Sequence, residues 1–112
     1  MEKGIYKGGT LIVNLDSIEM IGSNYVYAEG DKVLIALKKD NDSNENVLYG
    51  EITPTVGEST AQYTFSREET QEKLEIGERY ILQADLVNSK NTFPMLLQYL
   101  NVVGQAIIPN KE

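Results

Sequence analysis

The chain has 112 residues, enough for one domain with its own core but not for two. It contains neither cysteine nor histidine, which removes disulfide bonds, zinc–thiolate sites and the usual base of a nucleophilic triad. The formal charge of −7, with basic residues scattered along the chain, opposes binding to nucleic acid or anionic lipid. The composition therefore predicts a non-enzymatic domain that needs no cofactor and binds neither nucleic acid nor membranes.

The N-terminal residues, MEKGIYKGGT, lack the apolar run of a signal peptide. No later segment has the length and apolar composition of a membrane-spanning helix. We therefore expect synthesis and folding in the cytoplasm. A methionine at position 1 favours a complete protein, and we expect residues 1–112 to form a single domain in which residues 1–9 are a flexible arm.

Alternation of apolar and polar residues dominates the chain, as is typical of half-buried strands. The segment from Lys32 to Lys38 is apolar on both faces, which indicates a central strand. The predicted strands are Thr10 to Leu15, Ile18 to Ile21, Asn24 to Ala28, Lys32 to Lys38, Val47 to Ile52, Thr60 to Phe65, Arg79 to Leu86, and Met95 to Ile108, the last as one strand bent near Gly104 or as two short ones. About seven or eight short strands at this spacing describe a sandwich or a small barrel.

One segment has helical chemistry. Ser66 is followed three residues later by Glu69, the pattern in which a serine hydroxyl and a glutamate carboxylate cap a helix N-terminus reciprocally. The sequence therefore predicts one short helix near residues 67–74, directly after the strand that ends at Phe65.

A glycine and a tyrosine follow this helix. Gly77 can adopt the positive φ that a sharp corner needs, whereas a residue with a Cβ would be strained there. Leu74 and Ile76 are predicted to fill the base of the core, and Tyr80 to lie on them with its hydroxyl bonded to nearby backbone. This pattern predicts the corner between the two sheets of an all-β immunoglobulin-like sandwich. The alternative is an ordinary helix-to-strand turn with a core tyrosine.

Between residues 28 and 108 the chain carries four motifs in order: a Gly30-Asp31 turn that leads into a strand ending in lysines, the strand Leu48-Tyr49-Gly50-Glu51, the stretch Tyr63 to Thr70, and the stretch Leu74 to Ala84. This order resembles the small immunoglobulin-like domains of tailed-bacteriophage virion proteins, including the N-terminal domain of baseplate upper proteins in phages of Gram-positive hosts. The spacing from Gly77 to the following tyrosine is one residue longer than the commonest form in that family.

The resemblance implies a non-enzymatic structural or assembly protein of a phage or prophage, located in the baseplate, the tail or the head. Its partners would be other virion proteins or copies of itself. It also implies synthesis in the bacterial cytoplasm and later incorporation into a virion. The alternative is an attachment module that recognises a protein or a surface glycan.

One polar segment partly fits a calcium-binding loop. Asp40, Asp42 and Asn44, with Glu51 at the twelfth position, have the spacing of an EF-hand loop. Glu45 stands at the sixth position, where that loop requires a glycine, and strands rather than helices are predicted on both sides. A solvated hairpin loop is therefore the favoured interpretation, and no metal is expected.

A protein interface is predicted where apolar residues point away from the core, since such residues are unusual on a small sandwich. The candidates are Leu34, Ala36, Leu96, Leu100 and Val102. The alternative is that the N-terminal segment or residues 16–24 cover this face.

The seven tyrosines are the candidates for stacking on a sugar. Tyr25, Tyr27 and Tyr49 are predicted to be partly exposed, and Tyr6 lies in the predicted arm. Tyr63 and Tyr80 are assigned to the core.

Overall fold

The computed structural model describes residues 2–22, 24–40 and 45–107. The strands are β1 (Glu2–Lys7), β2 (Leu11–Asp16), β3 (Lys32–Lys39), β4 (Asn46–Ile52), β5 (Thr60–Phe65), β6 (Arg79–Val87) and β7 (Thr92–Gln105). The helices are α1 (Ser17–Ile21) and α2 (Arg67–Lys73). The prediction of an all-β sandwich is confirmed, although the described residues contain two helices where one was predicted.

The strands form two sheets of unequal size. The larger sheet has the order β1-β7-β6-β3-β4, and the smaller one pairs β2 with β5. All neighbours are antiparallel except β1 and β7, which run parallel. The adjacency of β3, β6 and β7, with β2 and β5 in the opposite sheet, is the arrangement of strands C, F, G and B, E in an immunoglobulin-like sandwich.

The core lies between the two sheets. Alternate residues of β3 (Val33, Ile35 and Leu37) are fully buried, as the period-2 pattern requires. Strand β6 behaves in the same way, burying every second residue from Tyr80 to Leu86. The smaller sheet covers these positions with Val13, Leu15 and Phe65 and with the half-buried Leu11, Ala61 and Tyr63.

The predicted strand from Ile18 to Ile21 is wrong, because this segment is helix α1. The Asp16 carboxylate accepts hydrogen bonds from the amides of Ile18 and Glu19 at 3.0 and 3.2 Å and so caps the helix. Gly22 ends it with φ +94°. Asp16, Glu19 and Gly22 are the start and stop signals of a helix, so the sequence did contain the information.

The predicted strand from Asn24 to Ala28 is also wrong. This segment is not a strand, and its backbone bonds at Tyr27 go to the turn before β5: the Tyr27 amide donates to the carbonyl of Glu58, and the Gly57 amide donates to the carbonyl of Tyr27. The Ser17 hydroxyl donates to the carbonyl of Tyr25 at 2.6 Å. These bonds hold Tyr27 fully buried at the end of the core rather than partly exposed as predicted.

The predicted flexible arm at residues 1–9 is wrong over most of its length. Residues 2–7 form β1, which pairs with residues 99–105 at the edge of the larger sheet. Ile5 is 9% exposed and belongs to the core. Pairing with β7 and the burial of Ile5, both of them long-range contacts, hold the strand in place. Met1, the first residue of the predicted arm, lies outside the described residues. So does Ile108, the last residue of the predicted final strand.

The corner after α2 has the geometry of a tyrosine corner. The Glu75 amide donates to the Tyr80 hydroxyl at 2.9 Å, and Leu74 and Tyr80 are fully buried. Gly77 has φ +91°, and its amide donates to the carbonyl of Val102. Ile76 was predicted to fill the core but is 54% exposed, because the turn directs it to solvent.

The capping box at the start of α2 is formed. The Glu69 amide donates to Ser66 Oγ at 3.2 Å, and the Ser66 amide donates to Glu69 Oε1 at 3.1 Å. Thr70 ties the helix to the chain before β2, because its hydroxyl donates to the carbonyl of Gly9 at 2.8 Å.

Two buried tyrosines provide a matched test of this corner. Replacing Tyr80 by phenylalanine should lower the free energy of unfolding by about 1–3 kcal/mol, since the Glu75 amide loses its acceptor. Replacing Tyr27 by phenylalanine should be neutral or stabilising, because no described group bonds to its buried hydroxyl. Urea denaturation of both variants measures the difference. Equal losses would contradict the assignment of Tyr80 to a corner.

Candidate interaction surface

The larger sheet has one face in the core and one face turned away from it. Residues directly opposite one another on neighbouring strands point to the same side of a sheet. One such row runs from Tyr49 through Ala36 and Gln83 to Leu97. The next row contains Lys38, Ile81 and Tyr99. We call this surface of strands β4, β3, β6 and β7 the outer face.

The outer face is rich in apolar side chains that solvent reaches. Leu97 is 61% exposed and Tyr49 is 47% exposed, while Leu34, Ile81 and Tyr99 are half-buried. Ala36 is 9% exposed because larger side chains surround it. A shallow cavity of about 150 Å³ opens here, lined by Leu34, Ala36, Lys38, Asn46, Tyr49, Gln83 and Asp85.

Charged groups border this apolar region. The Arg79 guanidinium lies 4.2 Å from the centre of the Tyr99 ring and forms an ion pair of 2.9 Å with Asp40. Gln83 donates to Asp85 at 3.2 Å. An apolar centre with a polar border is the usual organisation of a protein-binding surface.

Of the residues predicted to point away from the core, the structure places only two there. Leu34 and Ala36 do lie on the outer face. Leu96, Leu100 and Val102 lie on the opposite side, facing the core, and the last two are 1% and 2% exposed. Leu96 and Leu100 stand opposite Ala84 and Tyr80, which are core residues.

The sequence could not distinguish the two faces of β7, because both are apolar. Met95 has no partner in the pairing of β6 with β7, since Asp85 pairs with Pro94 and Ala84 with Leu96. Such a bulge shifts the alternation by one residue. The outward residues Leu97 and Tyr99 were missed for this reason. Ile81 could have been found, because it alternates with Tyr80 and Leu82 in the strong pattern of β6.

Neither of the segments proposed as a cover lies on the outer face. Strand β1 extends the edge of the larger sheet instead. Helix α1 packs Met20 and Ile21 against the core.

The residues considered for a metal site are not brought together. Asp42 and Asn44 lie outside the described residues. Asp40 is paired with Arg79. Glu51 stands opposite Leu34 on β3, and Leu34 lies six residues before Asp40, a distance of about 20 Å at the rise per residue of a strand. Within residues 2–22, 24–40 and 45–107, no three acidic side chains lie close enough together to hold a metal ion.

The exposed tyrosines do not form one stacking platform. Tyr49 lies on β4 and the 55%-exposed Tyr6 lies on β1, at opposite edges of the larger sheet. Four strand spacings separate them, about 19 Å. Tyr25 is half-buried and engaged with Asp31.

Asp31 is the one buried carboxylate among the described residues, with 4% exposure. Its Oδ2 accepts from the Tyr25 hydroxyl at 2.7 Å and from the Ala28 amide at 2.9 Å, and its Oδ1 accepts from the Asn88 side chain at 3.0 Å. Burial opposes ionisation, but these hydrogen bonds outweigh it and lower the pKa of Asp31. With every oxygen occupied by the protein itself, Asp31 has a structural role.

No family model matches this chain, and a search of curated proteins found no relative. Neither helix in the described part of the chain has the length and apolar composition needed to cross a membrane.

Proposed function

We propose that this domain is a non-enzymatic structural protein that functions by assembly, using its outer face to contact copies of itself or other virion proteins. The observation that carries the proposal is the apolar centre of the outer face, from Tyr49 to Leu97, with its charged border. Removing exposed apolar area from water is favourable by about 25 cal/mol for each Å², and this gain opposes the loss of freedom on association.

Three further features support this proposal. The cavity on the outer face holds about 150 Å³, which is small for a ligand site. The strand order and the tyrosine corner match an immunoglobulin-like sandwich. The motifs from Gly30 to Ala84 are similar to those of phage virion domains, which is an argument from analogy.

A charge placed in the centre of the outer face should abolish assembly without unfolding the domain. We expect Leu97→Lys to convert the assembled form, alone or with the virion proteins encoded beside it, into a monomer. The reason is the cost of burying an unpaired ammonium in an interface. Light scattering after gel filtration measures the mass, and thermal unfolding should shift by little because Leu97 is 61% exposed.

Val56→Lys is the matched control, since Val56 is 62% exposed but lies in the turn before β5. It should assemble like the parent protein. A protein that stays monomeric with every neighbouring gene product, yet binds a glycan, would overturn the proposal in favour of an attachment module.

A further inference from the structure

The smaller sheet has an open edge. Strand β2 pairs with β5 on one side only, and no backbone hydrogen bond outside that ladder involves residues 11–16 among the described residues. In an antiparallel pair, alternate residues direct their amide and carbonyl groups away from the partner. Half of the six residues of β2 therefore present unpaired backbone groups.

Edge strands are usually protected against pairing with another chain by charges, proline or bulges. The edge of β4 has a register shift near Val47, and the edge of β1 has a register shift after Ile5 together with two lysines. Strand β2, with the sequence LIVNLD, is regular and has neither proline nor lysine. Its one charge, Asp16, stands at the end of the strand, so residues 11–15 carry none of these protections.

A groove with an apolar floor runs beside this edge, between the two sheets. One cavity of about 220 Å³ is lined by residues 11–14 of β2 and by Leu82, Leu96, Gln98 and Leu100 of the larger sheet. A second cavity of about 210 Å³ is lined by residues 9–12 and by Ile5, Tyr6 and Thr70. On the opposite side of the smaller sheet the space is closed, because the Tyr63 ring packs on Gly50 of β4.

The dimensions of the groove suit an extended chain. The two cavities are offset along β2 by about two residues, which is the spacing of side chains on one face of a strand. Each has the volume of several water molecules, at about 30 Å³ for each, and so can accept an aliphatic side chain.

One charge lies at the groove. Lys3 lines both cavities, and none of their other lining residues is charged. The Lys3 side chain is exposed and takes part in none of the ion pairs within the described residues. A carboxylate on a bound peptide could form an ion pair with Lys3 near Leu11.

We propose that the β2 edge accepts an extended segment of a partner protein as an additional strand. That segment carries apolar residues at alternate positions, which fill the two cavities, and an acidic residue that pairs with Lys3. Main-chain hydrogen bonds would supply affinity and the cavities would supply specificity, as in other cases of strand addition. This site is separate from the outer face, so either proposal can fail alone.

The test uses a fluorescein-labelled peptide of alternating valine and threonine with one glutamate near its end. We expect saturable binding by fluorescence anisotropy, with amide shifts and slowed hydrogen exchange confined to β2 and the groove. Lys3→Glu should weaken binding about fivefold or more, and should favour a peptide with lysine in place of glutamate. Lys7→Glu, on the same strand but away from both cavities, should leave binding unchanged.

A peptide of the same sequence that is N-methylated at every backbone amide keeps its side chains but has no amide hydrogen to donate to β2, so it should not bind. Equal binding of that peptide, or shifts on the outer face instead of β2, would overturn the proposal. So would self-association of the protein through β2 without peptide binding. Leu97→Lys should bind the peptide normally, which separates this result from a failure of the assembly proposal.

Discussion

Replacing Asp31 by alanine is expected to lower the free energy of unfolding by about 3–5 kcal/mol, the largest effect of any single polar substitution considered for this protein. The substitution removes the acceptor of three donors, from Tyr25, Ala28 and Asn88. A buried donor without a partner costs about 1–3 kcal/mol. Asn88 lies in the turn between β6 and β7, and Asp31 lies in the turn before β3. The substitution therefore also removes the hydrogen bond that links these two turns. Urea denaturation measures the loss.

Two variants make this prediction specific. Asp31→Asn should have an intermediate effect, since its amide nitrogen would face the Asn88 side chain, which is also a donor there. Asn88 cannot easily turn over, because its Oδ1 accepts from the amides of Lys90 and Asn91 at 2.9 and 2.8 Å. Asp85→Ala removes a half-buried carboxylate and should change stability by less than about 1 kcal/mol. If Asp31→Ala lowered the free energy of unfolding by as little as Asp85→Ala, the structural role assigned to Asp31 would be contradicted.

The same network predicts how stability depends on pH. The pKa of Asp31 is lower in the folded protein than in the unfolded chain, so its contribution is complete above the ordinary pKa of 3.8. The contribution is lost as pH falls through the lower folded pKa. Burial and then the Asp31 hydrogen bond raise the pKa of Tyr25 to about 12, so a second loss is expected as pH rises from 10 toward 12. Unfolding curves of Asp31→Asn should lack the acid component.

Introducing a single methyl group at Gly50 is expected to cost about 2–3 kcal/mol, the second large effect. Gly50 lies on the core side of β4, and a Cβ there would overlap the Tyr63 ring. That ring is held in turn against Phe65, with the two ring centres 4.9 Å apart. Overpacking of this kind typically costs 1–3 kcal/mol. Thermal or urea unfolding of Gly50→Ala gives the value.

The control is Gly104→Ala in β7, where an added Cβ would meet the Tyr6 ring at an ordinary 3.5 Å. It should be close to neutral. A double-mutant cycle then identifies the cause, because Tyr63→Leu removes the obstructing ring. Gly50→Ala should cost at least 1 kcal/mol less in the Tyr63→Leu background. Additive losses would show that the two residues do not clash.

The elements that could be predicted from the sequence are those whose signals are local. Strands β2, β4, β5 and β6 follow from alternation, and β3 and β7 from runs that are apolar on both faces. Ser66 with Glu69 specifies the start of α2. The corner at Gly77 and Tyr80 could also be predicted, since it depends on one flexible backbone position and one aromatic ring. The missed helix α1 had equally local signals at Asp16 and Gly22, but its apolar residues Ile18, Met20 and Ile21 also fit a strand.

The outer face required the tertiary structure. Strand β7 is apolar on both sides, and the bulge at Met95 shifts which side faces the core. Only the pairing of Leu96 and Leu100 with core residues of β6 shows that Leu97 and Tyr99 point outward. Strand β1 depended on long-range pairing in the same way, because its partner is about a hundred residues away in the chain.

The sequence by itself therefore determined the class of fold, strands β2 to β7 and the corner, because alternation, caps and glycine act over a few residues. Which apolar residues face solvent, and which sheet edge stays open, was decided by the tertiary structure. These properties depend on register and on how two sheets of unequal width cover one another. No local sequence pattern specifies the register of the strands or the way in which the two sheets cover one another.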